Sequence, residues 1–404
     1  MEHDLLSAAA VRHAAARMLA EARAGRLQHW VLDEQALPRI AALVARITRQ
    51  AYPDLKIPFH ARWRHFTVGG VNRWLELAKT LPKANPVERA RRAFDLVIMS
   101  VLVDAGSGGK WSYLDAVTKE RHHSSEGLAL ASLDFYRDGI LNTPSHALEA
   151  QWLAALGIAE FEQAFQVRGD NPLSGTAGRV RLLNRLGQLC LARPDAFAMS
   201  GTPRPGGLVD IIVKQADKET IAAEAVLNLV LDSLGPIWPS RLTLEGIPLG
   251  DAWIYPPWDL AGGPAASAIV PFHKLSQWLT YSLIEPLEAA GITVTGIDQL
   301  TGLAEYRNGG LFVDGGALQL KRPADAELAH APESVLVIEW RAMTVALLDL
   351  LHPLVAAELG LAVAGFPMVC MLEGGTWAAG REIARSLRPE GGPPLVIRND
   401  GTVF

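Results

Sequence analysis

Two charged residues stand in short polar clusters within apolar, glycine-punctuated sequence: Lys274 and Glu305, thirty-one positions apart. Lysine and glutamate side chains are rarely fully buried in proteins unless they are paired. A carboxylate near a cation in a pocket has its proton affinity changed, which is how catalytic acids and bases arise. The pair is therefore the leading candidate for an active site, and a structural Lys–Glu bridge is the alternative.

The residues around this pair could complete a site. On a helix that begins near Lys274, steps of three and four place Gln277 and Tyr281 on the same face as the lysine, where they would line a pocket. His273 lies at the start of this helix, where it either caps the helix or donates a proton. Glu305 follows a turn-prone Thr-Gly pair and precedes Asn-Gly-Gly, so tight backbone fixes its position.

A second group of candidate residues lies in the arm from His60 to Arg73, which alternates aromatic and basic side chains. The planar guanidinium of arginine recognises phosphate or carboxylate groups, and flat aromatic rings hold a base or a sugar. We expect ligand contacts from this arm, and a surface arm with solvated charges is the alternative. The candidate substrate-binding residues are Arg62, Trp63, Arg64 and Arg73.

Other polar residues could also contact a ligand. The glycine-rich loop 106–110 offers backbone N–H groups and Lys110 to an anion. A helix precedes this loop where a P-loop needs a strand, so a helix-terminating loop is the favoured interpretation and a ligand-contacting loop the alternative. Asp251, Glu339 and Arg341 stand in apolar surroundings and should each meet a buried partner or join the site; Asp251 is a candidate substrate-binding residue.

Composition restricts the class of protein. The chain has 404 residues, of which 49% are hydrophobic and 20% charged, and its net charge of -5 does not fit a binder of polymeric nucleic acid. The two cysteines, Cys190 and Cys370, predict buried reduced thiols, and no His-x-His or similar cluster suggests a metal or other cofactor. Residues 1–4 lack the features of a signal peptide, and charged residues interrupt the apolar segment 335–351. We predict a cytoplasmic protein that does not enter the membrane.

Helical periodicity dominates the chain and predicts a mainly α fold, a compact multi-helix body. Strand signals at 292–297, at 311–313 with 317–320 across Asp314-Gly315-Gly316, and at 395–397 predict a small β ribbon or sheet in the C-terminal half. One compact domain over residues 1–404 is the simplest organisation, with a possible division into 1–265 and 266–404, the part that carries both motifs. The predicted helices lie near residues 5–19, 37–47, 86–104, 147–156, 179–191, 219–234, 274–290 and 333–359, with a further start at Ser124.

Nearly the whole chain resembles the fungal and bacterial uracil-catabolism family that acts in the ribosylurea route. The stretches that carry this resemblance are 57–66, 271–286, 300–310 and 374–381. The resemblance implies a role in pyrimidine degradation, with a nucleoside-derived or nucleotide-derived small molecule as substrate and other enzymes of uracil catabolism as possible partners. It assigns no reaction by itself.

About forty residues are also similar to the queuosine-salvage N-glycosylases, helical proteins with a DNA-glycosylase-like fold. Their Phe-x-Lys-x-x-Gln helix is followed about thirty residues later by Leu-Thr-x-Phe-Ala-Asp-Tyr-Arg. Glu305 stands where that family has its aspartate, and Asn-Gly-Gly replaces the Val-Pro-Gln that follows, which leaves the substrate open. The matching residues here are Phe272, Lys274, Gln277, Leu300, Thr301, Ala304, Tyr306 and Arg307.

This second resemblance implies cleavage of an N-ribosidic bond. Glu305 would stabilise the positive charge on the sugar and activate water, while His273, Gln277 or Tyr281 would meet the departing nitrogen. Lys274 could keep Glu305 ionised, bind a sugar hydroxyl or phosphate, or form a Schiff base, and the first two roles are favoured. Arg62, Arg64, Arg73 or Arg307 would hold a 5'-phosphate, with Tyr306 as a further substrate contact.

Two other classes of function remain open from the sequence. One is a non-catalytic ligand-binding or scaffold subunit that assists the ring-opening enzyme of the same pathway. The other is an amidohydrolase that releases ammonia, although the sequence lacks the ligand cluster that a metal-dependent one requires. Product analysis and co-purification would separate these classes from an N-ribosidic hydrolase.

Overall fold

The computed structural model describes most of the chain, and its fold is mainly helical, as the sequence predicts. Segments 1–4, in which the sequence predicts no signal peptide, and 399–404 lie outside the described residues. The described residues are 5–141, 143, 145–199, 201–238, 242–259, 265–388 and 390–398.

The helices follow the predicted positions closely. Asp33 caps a short 3-10 turn that leads into the second helix, and Pro86 is the first residue of the fourth. The helices of the described segments are α1 (Ala8–Arg23), α2 (Leu37–Ala51), α3 (Arg73–Thr80), α4 (Pro86–Leu102), α5 (Ser124–Leu141), α6 (Ala150–Ala155), α7 (Ile158–Ala164), α8 (Thr176–Ala192), α9 (Pro194–Phe197), α10 (Leu208–Gln215), α11 (Ala223–Leu234), α12 (Pro256–Asp259), α13 (Lys274–Ala289), α14 (Tyr306–Asp314), α15 (Val335–Leu359), α16 (Met368–Met371) and α17 (Trp377–Leu387).

Helix α15 occupies the middle of the apolar core. It packs against α1, α2 and α14, while α13 packs against α4 and α11. By length and composition α15 could cross a membrane, but 61% of its most apolar stretch is buried inside the protein. This burial supports the predicted core helix, because its apolar surface is covered by other helices.

The strands differ from the prediction. Three predicted strands are present, at Thr293–Thr295, Leu318–Leu320 and Val396–Ile397, but they join separate two-stranded pairs, so a single ribbon in the C-terminal half is wrong. The antiparallel pairs are β1 (Trp30–Leu32) with β12 (Leu318–Leu320), β2 (Thr67–Val68) with β3 (Val71–Asn72), β4 (Ser112–Leu114) with β5 (Arg121–His123), β7 (Thr243–Leu244) with β8 (Ile247–Pro248), and β9 (Ala252–Ile254) with β10 (Ile269–Pro271). The parallel pairs are β6 (Thr220–Ala222) with β11 (Thr293–Thr295) and β13 (Ala329–His330) with β14 (Val396–Ile397).

The predicted hairpin around Asp314-Gly315-Gly316 is also wrong, since residues 311–313 lie in α14. The glycines end this helix: the Gly315 N–H donates to the Leu311 carbonyl, and Gly316 has a φ of +83°. Gly residues with positive φ favour helix C-termini as well as hairpin turns, so the sequence pattern was compatible with both. The following strand, β12, pairs with β1 near the N-terminus.

The glycine-rich loop 106–110 follows α4, and Arg179 of α8 donates hydrogen bonds to the backbone at the start of this loop. The fully buried guanidinium donates to the carbonyls of Val103, at 2.9 Å, and Gly106, at 3.0 Å, and also to that of Ala105. Because these carbonyls follow the last turn of α4, Arg179 provides the donors that a helix C-terminus lacks. The contacts support the interpretation as a helix-terminating loop.

Glycines in the segment 374–381 allow helices to approach closely. Gly375 lies in a π-helical turn, Leu372–Thr376, where a Cβ atom would come within 2.6 Å of the Val44 carbonyl of α2. At Gly380 of α17, a Cβ atom would lie 2.2 Å from the Arg307 carbonyl of α14. These contacts explain why this glycine-rich stretch forms part of the core next to Glu305.

Substitution Gly380→Ala should destabilise the protein by about 1–3 kcal/mol, the usual cost of overpacking, although alanine favours helix more than glycine does. The added methyl group would force α17 away from the first turn of α14. Urea unfolding should show the loss as a lower midpoint. Gly365→Ala is the matched control, because no heavy atom lies within 4 Å of its added Cβ; equal stability of both variants would contradict the close packing.

Candidate active site

The motif around Lys274 and the motif around Glu305 meet at the N-terminal ends of two helices. Lys274 is the first residue of α13, which follows strand β10, and Glu305 is the N-cap of α14. Burial leaves 8% of Lys274 and 7% of Glu305 exposed, so both side chains are largely withdrawn from solvent but not sealed. Lys274 and Glu305 are close enough for their charges to affect each other.

A buried ion pair between Asp251 and Arg341 holds both motifs in place. The Asp251 carboxylate accepts two hydrogen bonds of 2.7 Å from Arg341, one of 2.9 Å from Trp253 Nε1, and one of 3.1 Å from the Lys274 backbone N–H. Arg341 Nε also donates to the Ala304 carbonyl at 3.3 Å. One charge pair therefore fixes the start of α13 and the residue before Glu305.

Asp251 remains ionised in this arrangement. Burial acts to raise the pKa of its carboxyl, but the charge and hydrogen bonds of Arg341 outweigh burial and hold the pKa well below its usual range. The contact of Asp251 with substrate stays a prediction, and in the structure its oxygens accept hydrogen bonds from four protein donors. Its position is that of a residue that orients the site.

Gln277 and Tyr281 connect α13 to the loop before Glu305. Gln277 exchanges two hydrogen bonds with Thr301, of 2.6 Å to its hydroxyl and 2.8 Å from its backbone N–H. The Tyr281 hydroxyl donates to the Thr301 carbonyl at 2.9 Å. Both side chains are fully buried, unlike Lys274 and Glu305, so these two candidates support the loop and have no open surface for a substrate.

The Glu305 carboxylate is held rigidly by backbone. Its two oxygens accept from the N–H groups of Arg307 and Asn308, each at 2.6 Å, which caps the first turn of α14. A carboxylate has about four acceptor positions, so this capping leaves one free on each oxygen. Glu305 can therefore cap the helix and still present negative charge to a ligand.

Lys274 and Glu305 do not form a direct ion pair. Within the described chain, no carboxylate oxygen lies within 4.0 Å of Lys274 Nζ. Burial lowers the pKa of Lys274, against the opposing effect of Glu305 and then Asp104. Burial raises the pKa of Glu305, against the opposing effect of Lys274 and of the capping N–H groups. Both groups are thus shifted toward their neutral forms, as is typical of catalytic acids and bases.

An indole ring, Trp278, lies at the centre of the site. Lys274 Nζ lies 5.8 Å and Arg62 Cζ 5.6 Å from the Trp278 ring centroid. The His60 and His65 rings lie at 6.2 Å and 6.0 Å from it. We call these five residues the Trp278 cluster. The cluster brings the Phe-His-Ala-Arg-Trp-Arg-His arm next to the Lys274 helix, which the sequence alone did not indicate.

Arg62 is the arm residue that enters the cluster most deeply. It is fully buried and donates to the Ser100 hydroxyl and to Asp104 Oδ1, both at 2.7 Å. Its Nη2 atom is buried and donates no hydrogen bond within the described protein, and the same holds for Trp278 Nε1. Such orphaned donors are rare in protein interiors, so they mark this cluster as a place where a polar ligand could bind.

The remaining arm residues lie elsewhere. Trp63 Nε1 donates to the Ser282 carbonyl at 2.7 Å, and Arg64 forms an ion pair with Glu285 at 2.5 Å. These residues line a separate pocket of about 660 Å³ that does not include Lys274 or Glu305. Arg73 pairs with Asp115 at 2.6 Å, away from the cluster.

Tyr306 and Arg307 flank Glu305 at the start of α14. The Arg307 guanidinium lies 5.0 Å from the Tyr306 ring and donates to the Gly391 carbonyl at 2.7 Å. Burial raises the pKa of the Tyr306 hydroxyl, whose surroundings also include Glu305 and Asp104. Arg307 Nε is buried without a hydrogen-bond partner in the described protein, which leaves it able to bind an anion.

The side chain of His273 binds the backbone of the N-terminal segment. It adopts a left-handed backbone conformation with φ of 47° before α13, and its Nε2 donates to the Leu5 carbonyl at 2.8 Å. Burial lowers the pKa of this imidazole, which favours its neutral form. The proton on Nε2 is therefore used to fix the N-terminal segment against the start of α13.

The structure adds site residues that the sequence analysis does not propose: His60, Asp104 and Trp278. Asp104 follows the end of α4, and Trp278 lies within α13, so neither stands in a motif that suggests chemistry. The arm pattern was the signal that could have included His60, but only tertiary packing brings it to Trp278. No group of three or more His, Cys, Asp or Glu side chains in the described segments is arranged to hold a metal ion.

Comparison with known proteins identifies the family. A family model described as a protein of unknown function, DUF1688, matches residues 4–404. Protein urg3 of Schizosaccharomyces pombe is 37% identical over 411 residues, which cover 99% of this chain and 98% of that protein. Uracil catabolism protein 4 of Lachancea kluyveri is 39% identical over 400 residues, with 90% and 89% coverage. These matches confirm the resemblance to the uracil-catabolism family, and the chain belongs to the DUF1688 family.

Proposed function

We propose that this protein is a hydrolase of uracil catabolism that cleaves the N-ribosidic bond of ribosylurea, its 5'-phosphate or a related nucleoside or nucleotide. The name of the Lachancea kluyveri relative supports the pathway. The observation that carries the reaction is the buried carboxylate of Glu305, fixed by two backbone N–H groups beside Lys274. The reaction class also rests on the resemblance of these motifs to queuosine-salvage N-glycosylases.

Glu305 has the properties that ribosyl transfer requires. Breaking the C1'–N bond builds positive charge on the sugar, and a fixed carboxylate stabilises that charge without having to reorganise. The free acceptor positions of Glu305 could also take a proton from an attacking water. Because its pKa is raised by burial, the carboxylate is a better base than an exposed glutamate.

Lys274 serves Glu305 electrostatically in this proposal. Its positive charge opposes the effect of burial on the Glu305 pKa and so keeps a larger fraction of the carboxylate ionised. Because no carboxylate oxygen of the described residues lies within 4.0 Å of Nζ, the ammonium group can also bind a sugar hydroxyl or a phosphate. Arg62 and Arg307, each with an orphaned buried nitrogen, are the arginines we assign to a 5'-phosphate or carbonyl oxygen of the substrate.

The proposed reaction also sets what we expect of the whole protein. We expect a metal-independent enzyme that acts on a small molecule in the cytoplasm, with a helical body resembling that of DNA glycosylases. Other enzymes of uracil catabolism are the expected partners. A non-catalytic subunit would bind the substrate without releasing urea, and assays of purified protein with uridine, UMP, ribosylurea and its phosphate separate the two functions.

Glu305 variants separate helix capping from chemistry. Glu305→Gln keeps the size of the side chain but removes its charge, and should reduce urea release by about 10²–10⁴-fold while substrate still binds. Glu305→Asp keeps a strong cap but withdraws the carboxylate by one methylene, which should cost about 10²-fold in rate with little loss of stability. Turnover is measured as urea released and stability by thermal unfolding. Full activity of the glutamine variant would contradict the assignment.

Lys274 variants test its role through pH dependence. In Lys274→Met the pKa of Glu305 should rise, because the cation that lowers it is gone. If the carboxylate must be ionised, the acidic limb of the kcat/KM profile moves to higher pH, and activity recovers in alkaline buffer. Lys274→Arg is the matched control, since it keeps the charge but cannot form a Schiff base. Complete loss in both variants at every pH would contradict the electrostatic role and indicate a covalent one.

A further inference from the structure

A hydrogen-bonded chain of three side chains leads from Tyr52, a half-buried residue, to the Trp278 cluster. The Tyr52 hydroxyl, at the end of α2, donates to Glu373 Oε1 at 3.0 Å. The other carboxylate oxygen of Glu373 accepts from His60 Nδ1 at 2.8 Å. Glu373 lies in the π-helical turn Leu372–Thr376, a rare element that often occurs at functional sites.

The His60 ring belongs to the Trp278 cluster. It stacks on Trp278 with an interplanar angle of 29°, and its backbone N–H is bound to the Val369 carbonyl at 3.1 Å. Because Lys274 Nζ also lies near the Trp278 ring, at 5.8 Å from its centroid, one indole joins the imidazole to the Lys274–Glu305 region. Its Nε2 has no hydrogen-bond partner among the described residues, so Glu373 holds one ring nitrogen while the other is left available. This is the geometry of an oriented acid or base.

Glu373 is suited to its orienting role. Burial acts to raise its pKa, but the hydrogen bonds from His60 and from the Tyr52 hydroxyl help to outweigh burial and lower it. The carboxylate is therefore ionised and requires the His60 Nδ1 to carry the proton. With Nδ1 bound to this carboxylate, Nε2 is the ring nitrogen through which a proton can pass to a ligand.

The other histidines near the site cannot serve as proton donors in the same way. Burial, followed by the charge of Arg62, lowers the pKa of His65 to about 3, so this ring is neutral near pH 7. His65 Nδ1 is also buried without a partner within the described chain. His273 uses its Nε2 proton on the Leu5 carbonyl. Of these three imidazoles, His60 is the one that a carboxylate orients.

We propose that His60 is the general acid that protonates the leaving nitrogen, with Glu373 and Tyr52 as its positioning residues. This inference rests on the proposed N-ribosidic hydrolysis. As the C1'–N bond breaks, its electron pair passes to nitrogen, which takes the proton from His60 Nε2. Water adds to C1' and gives its proton to Glu305, from which it returns to His60 through solvent. The sum is ribosylurea plus water giving ribose plus urea.

Two substrates with different leaving groups test the role of His60. Ribosylurea releases a nitrogen that must be protonated, whereas p-nitrophenyl riboside releases an anion that departs without a proton. His60→Gln should reduce kcat/KM about 10²–10⁴-fold for ribosylurea, the range of general acid catalysis, and leave nitrophenyl release nearly unchanged. Turnover of the nitrophenyl substrate also shows that the variant is folded.

Two further variants and the pH profile complete the test. Glu373→Gln should reduce ribosylurea turnover less than His60→Gln, and Tyr52→Phe less again, with nitrophenyl release unaffected in both. The alkaline limb of the ribosylurea profile, which reports the loss of the acid's proton, should vanish in His60→Gln. The charged or titratable groups around His60 include Glu373, Glu305 and His65, together with Arg62 and Lys274 of the Trp278 cluster.

The outcomes distinguish this inference from the proposed function. Equal losses on both substrates, or no loss on ribosylurea, would show that His60 is not the acid while leaving ribosidic hydrolysis intact. A Glu305→Gln variant, which acts on the sugar and not on the leaving group, should lose both activities and is the matched control. If the wild-type protein hydrolyses neither riboside, the proposed function and the assignment of His60 both fail.

Discussion

The buried ion pair of Asp251 and Arg341 is the interaction on which the candidate site depends. It links α15, the start of α13 and the residue before Glu305, so the two motifs cannot move independently. Removing one partner of a buried pair leaves the other charge without compensation, typically at a cost of about 3–5 kcal/mol. The apolar core packs around this pair and holds it in place. Through their hydrogen bonds to the backbone of Lys274 and Ala304, Asp251 and Arg341 in turn fix the positions of Lys274 and Glu305.

The same core also sets the chemistry of the site. Burial lowers the pKa of Lys274 and raises that of Glu305, so it disfavours the charged form of each group. The charge of each residue opposes this effect of burial on the other. Orphaned donors on Arg62 and Trp278 add to this cost. The main physical argument that the site binds a polar substrate is the combination of these donors, which lack partners in the described chain, with the shifted pKa values of Lys274 and Glu305.

The sequence predicted the helices and the Lys274–Glu305 region because both depend on local patterns: apolar periodicity, caps and a short spacing. It failed at residues 311–313, where glycines that end α14 were taken as a hairpin turn. The roles predicted for Gln277, Tyr281 and His273 stay predictions, and in the structure their side chains are bound to Thr301 and Leu5. His60 and Glu373 are 313 positions apart, so only tertiary packing could reveal their contact.

The central claim is that the site formed by Lys274 and Glu305 cleaves the bond between ribose and nitrogen. Isotope tracing of the products tests this claim most directly. Purified protein would be incubated with ribosylurea in water enriched in ¹⁸O, and the products followed by mass spectrometry. Attack at C1' predicts free urea that carries no ¹⁸O, with the label first appearing in ribose. Release of ammonia, with ¹⁸O in the carbonyl product, would instead show amide hydrolysis and contradict the account.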